Sequence, residues 1–75
     1  GRLLKVETNQ PAVVVYTSNT MKDFELRGGS ARPYLGVCLE TQGPPDAIHH
    51  PNFQSIIVKK DEEYHWETKY TFSVK

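Results

Sequence analysis

The stretch "GVCLETQGPPDAIHHPNF", residues 36–53, gathers the lone cysteine, two of the three histidines and two carboxylates: Cys38, His49, His50, Glu40 and Asp46. Successive side chains of an extended chain point to opposite faces, so Val37 and Leu39 share one side and Cys38, Glu40 and Gln42 the other. Glu40 is then a carboxylate delivered by a strand, either to water at a sheet edge or to the floor of a site. The second case gains support from context, since the strand ends at a loop bearing Asp46, His49 and Asn52, the kind of place where functional groups sit. Cys38 is a nucleophile only if the fold sets a base beside it; its apolar neighbours predict a packed, inert thiol instead. A metal site is not expected. His49 and His50 are adjacent and point opposite ways in extended chain, no HxH or HxxxH spacing exists, and Cys38 has no CxxC partner. The expectation for His49, His50 and His65 is exposure to water.

The elements that must hold these residues read as β throughout. Residues 2–8 alternate, with Leu4, Val6 and Thr8 on one side and Leu3, Lys5 and Glu7 on the other. Asn9-Gln10-Pro11 supplies a turn, and the β-branched run 12–18 predicts a strand covered on both faces, paired with 2–8 as a hairpin. Residues 19–34 are irregular: Gly28-Gly29-Ser30 marks a loop, and Phe24 and Leu26 suggest a short apolar element. Strand 36–42 ends at Gly43-Pro44-Pro45-Asp46, a further strand is predicted over 54–60, and Asp61-Glu62-Glu63 turns the chain. Over 64–74, Trp66, Thr68, Tyr70, Phe72 and Val74 share one face against Glu67, Lys69, Thr71 and Ser73, the clearest period-two pattern in the sequence. One face should be core and the other wet.

Length and composition narrow the possibilities. At 75 residues the chain is one small domain or a part of one, and a domain this short buries only about 60% of its unfolded surface. A single cysteine allows no internal disulfide. With 37% hydrophobic and 24% charged residues the chain is globular rather than disordered. Nine basic and nine acidic residues, scattered rather than striped, argue against a nucleic-acid partner. The longest apolar run, 12–16, is far too short for a membrane span, and no signal-peptide pattern opens the chain. A lone cysteine and no Asn-x-Ser/Thr sequon predict a cytoplasmic setting. Gly1 stands directly before a strand with no cap or leader, the expected look of a cut rather than of a beginning.

The 36–53 stretch, together with "YHWETKYTF", closely resembles the C-terminal region of the aldose 1-epimerases, or galactose mutarotases. Their pattern there runs Cys-Leu-Glu-Thr-Gln, Pro-Asp-Ala, Pro-x-Phe and finally Thr-x-Tyr-x-Phe, and "PAVVVYTSN" resembles their Tyr-Thr-x-Asn strand upstream. The resemblance spans essentially all of the chain. It implies an antiparallel β supersandwich of which residues 1–75 are the C-terminal portion, the N-terminal portion of the same fold being absent. It further implies a monosaccharide substrate, no cofactor, and Glu40 as the general base of anomer interconversion, held rigidly and partly desolvated beside Cys38. The matching acid and the other sugar-binding residues belong to the absent portion. Two departures stand out: His49-His50 occupy positions where the family commonly has Asn-Gln, and Val14 stands where many members carry a sugar-contacting glutamine. The alternative readings are a non-catalytic carbohydrate-binding protein of mutarotase-like fold and a free-standing β domain with protein partners.

Overall fold

Cross-strand matching of apolar faces builds two separate ribbons, and the computed structural model describes them within the whole chain, Gly1–Lys75. β1 (Arg2–Thr8) pairs antiparallel with β6 (Thr68–Val74), setting Leu4 opposite Phe72, Val6 opposite Tyr70 and Thr8 opposite Thr68. β2 (Ala12–Tyr16) pairs antiparallel with β5 (Cys38–Gln42). A miniature hairpin, β3 (Glu25–Leu26) with β4 (Gly29–Ser30), lies in the connection between β2 and β5. The only helical feature is a 3-10 turn at Ala47–His49. The all-β, antiparallel class is as expected, and no helix is long and apolar enough to cross a membrane.

The expected hairpin of 2–8 with 12–18 does not form. The Asn9 side chain turns the chain towards β6 instead: its amide donates to the His65 carbonyl at 2.9 Å and its oxygen accepts the Glu67 N–H at 3.0 Å. β1 is thereby committed to the last strand, where its apolar face finds a matching one. β2 is left to pair with β5 and stops at Tyr16, because Ser18 turns into the left-handed region (φ 59°) and its carbonyl collects the Met21 and Tyr34 N–H groups.

The strand expected over 54–60 is irregular and exposed. Its Ile56, Ile57 and Val58 fit a strand by propensity, but no neighbouring strand satisfies their backbone, and a strand is stable only within a sheet. Residues 64–67 likewise stay outside the ladder, so the last strand begins at Thr68. The turn expected at 61–63 lies slightly earlier, closed by Glu62 N–H to Lys59 C=O at 3.1 Å.

Little of the apolar surface is covered. Only Ser18, Ala31, Thr41 and Ala47 are buried, while Phe72 and Val74 are 78% and 84% exposed. The accessible surface is 6680 Å², against about 4,700 Å² for a folded monomer of this mass. The radius of gyration is 16.6 Å, against about 11 Å for a compact chain of this length. The two ends meet: Gly1 N lies 2.6 Å from the Lys75 carbonyl oxygen, and the Lys75 N–H donates to Gly1 C=O at 2.8 Å.

Candidate active site

Glu40 lies in the middle of β5, with Val14 of β2 directly opposite. The Tyr16–Cys38 and Ala12–Gln42 pairs flank it on the same face. The alternating pleat sends Val13, Val15, Leu39 and Thr41 to the other face, the one that meets β6. There, Thr41 Oγ1 lies 2.7 Å from Thr68 Oγ1, and the Trp66 indole N–H reaches both hydroxyls at 3.1 Å. The Tyr70 hydroxyl donates to the Leu39 carbonyl at 3.2 Å. The ribbons are therefore joined by side chains rather than by a ladder, and Glu40 points away from the joint.

The Glu40 carboxylate is exposed and engages no hydrogen bond or ion pair within the chain. This corrects the expectation of a partly desolvated group: nothing in these residues covers the outer face of the β2–β5 ribbon. Cys38 is exposed for the same reason, where a packed thiol was expected. The outer face of the ribbon is open at Glu40, so its carboxylate is accessible from that side.

The expected loop residues assemble a few positions on, though differently from expectation. Asp46 adopts a left-handed conformation (φ 58°), and the 3-10 turn after it folds both histidines back onto its carboxylate. His49 Nδ1 lies 2.6 Å from one oxygen and His50 Nε2 3.0 Å from the other, so the two rings converge rather than diverge. The His50 ring also packs against Phe53, centroids 5.1 Å apart. All three members of this clasp are exposed, as expected of the histidines, and no group of His, Cys, Asp and Glu has metal-binding geometry. His65 is exposed too, its Nε2 3.4 Å from Glu67 Oε2.

Sequence reasoning missed Thr41. Its parity with Leu39 places it on the inner face, and a hydroxyl at an inner position signals a polar partner across the interface.

Residues 1–71 match the model of the family described as Aldose 1-epimerase. The chain belongs to the aldose 1-epimerase family. Among the curated relatives, 99% of the chain aligns at 46% identity with galactose mutarotase of Rattus norvegicus and at 43% with that of Homo sapiens. An aldose 1-epimerase of Haemophilus influenzae is 36% identical over 92% of the chain. The chain spans 22% of the length of the two mammalian relatives and 21% of the bacterial one. No solved structure matches it significantly. Its antiparallel strands agree with a partial mutarotase-like β fold of that family.

Proposed function

We propose that residues 1–75 form the C-terminal portion of a single mutarotase-like β domain. The complete protein interconverts the α and β anomers of an aldohexose, galactose or glucose, with Glu40 as general base. The observation that carries this reading is the unpaired Glu40 carboxylate, presented outward from a strand whose inner face is fastened to β6. Family membership supplies the reaction class.

In the proposed reaction Glu40 takes the proton from the anomeric hydroxyl while an acid outside this chain protonates the ring oxygen. The bond between C1 and the ring oxygen breaks to give the free aldehyde, rotation about C1–C2 exposes its other face, and reclosure returns both protons. No electrons or groups are transferred, so the chemistry asks for no cofactor. Each positioned acid or base contributes about 10²–10⁴-fold. His49 and His50 stand where the family commonly has Asn-Gln, so the acid is assigned to neither of them.

Polarimetry of freshly dissolved α-anomer, with the complete protein and its Glu40→Gln variant, tests this. Glutamine keeps the size and deletes the basic oxygen, so turnover should fall at least about 100-fold with substrate affinity changed far less. An equally fast variant ends the case for Glu40. A parent that binds sugar but does not turn it over makes the protein a carbohydrate binder of the same fold.

A further inference from the structure

We infer that Thr41 is a positioning residue for Glu40, holding the proposed base through a one-way chain of hydroxyls that crosses β5, β6 and β1; the inference rests on the proposed role of Glu40. Three threonines line up across these strands: Thr41 to Thr68 at 2.7 Å and Thr68 to Thr8 at 3.2 Å, with Thr8 Oγ1 2.9 Å from the Glu67 carbonyl. A carbonyl only accepts, so Thr8 must donate to Glu67. Its single hydroxyl hydrogen is then spent, and Thr68 must donate to Thr8. By the same count Thr41 must donate to Thr68. Thr8 also accepts the Gln10 N–H at 3.1 Å, and the Trp66 N–H is shared between Thr41 and Thr68. Each hydroxyl hydrogen therefore has one destination. Thr41 is 4% exposed, and no buried side-chain polar atom lacks a partner.

The consequence falls on Glu40 because it lies between two fastened residues. On one side the Leu39 carbonyl is held by Tyr70; on the other the Thr41 side chain is held by Thr68 and Trp66. The bonds made behind the ribbon fix the backbone that aims the carboxylate in front of it. A general base gains its rate from a reacting geometry held to a fraction of an ångström, and a 1 Å misplacement can cost about 100-fold. The Thr41 hydroxyl can be deleted with shape nearly kept, by valine, while Trp66 retains Thr68 as its acceptor.

The test is kinetic, on the complete protein. Thr41→Val should lower kcat about tenfold and leave KM within about twofold, since what is lost is aim rather than contact with substrate. Thr41→Ser, which keeps the hydroxyl, should restore kcat to within about threefold of the parent. Tyr70→Phe, freeing the Leu39 carbonyl, should lower kcat in the same way. The decisive measurement is Thr41→Val in a Glu40→Gln background: with no base to aim, it should slow the residual rate less than twofold. A valine variant as fast as the parent, or one that slows both backgrounds by the same factor, overturns the positioning role. If Glu40→Gln alone matches the parent, the base assignment has failed and this inference with it. If Glu40→Gln is slow and Thr41→Val is not, only the positioning role has failed.

Discussion

Val14 lies directly across the β2–β5 ribbon from Glu40, its register partner on the same face. Side chains so paired have Cβ atoms about 5 Å apart. A ligand laid over Glu40 therefore touches Val14 as well and meets a methyl surface where a hydroxyl finds no partner. Val14→Gln in the complete protein should lower KM for the hexose by about 2–10-fold, the worth of one net hydrogen bond, with kcat moved less. Initial rates across sugar concentrations measure this, and an unchanged KM would show that the sugar does not extend over Val14.

The Asp46–His49–His50 clasp orders the turn after β5 and carries no proton in the proposed reaction. Replacing His49 with Asn and His50 with Gln together should leave turnover within about tenfold, well short of losing an acid or base. A thousandfold loss with folding intact would make one of them catalytic.

Gly43 is a packing requirement at the end of β5. A Cβ added there would lie 2.5 Å from Ile56 Cγ2, an atom on a stiff, branched carbon. Gly43→Ala should destabilise the complete protein by about 1 kcal/mol, below the usual cost of overpacking a core because Ile56 is half-exposed and lies in an irregular segment. Ile56→Ala, which removes that atom, should make the same glycine change much cheaper. Denaturant midpoints of the parent, both single variants and the double variant provide the comparison.

The isolated 75-residue chain should neither catalyse anomerisation nor unfold cooperatively. Its surface and radius far exceed those of a compact protein of its size, and Phe72, Val74, Ile57 and Trp66 are all more than half exposed. It should bind a hydrophobic dye such as ANS and show a broad melt. A sharp two-state transition without dye binding would show instead a self-sufficient domain.

How much of this was legible in the sequence divides along the reach of the interactions. Local alternation located β1, β5 and β6, because the faces of a strand are written in neighbouring residues, and a β-branched run located β2, though the cover expected on both its faces is missing. Pairing was not local: Thr8 finds Thr68, and the short turn at Asn9-Gln10-Pro11, which invited a hairpin, serves β6 through the Asn9 side chain. Residues 54–60 have strand composition, but strand formation depends on a neighbour the chain does not offer them. The expected burial of Cys38 and Glu40 assumed a cover over the outer face of β5 that these residues do not contain. Glu40 stood out by family resemblance rather than by pattern, since a polar residue on an alternating strand is ordinarily a solvated one. Thr41 carried a signal, a hydroxyl at an inner position, whose meaning depended on knowing that β6 lies behind it.

The Lys75 N–H donates to the Gly1 carbonyl at 2.8 Å, one pair beyond Arg2–Val74, so the β1–β6 ladder continues to that pair. β1 and β6 come from opposite ends of the segment, so this ribbon closes only after β6 has been made. The order of assembly follows from the register: β5 and its carboxylate can pair with β2 during synthesis, whereas the hydroxyls behind them wait for β6.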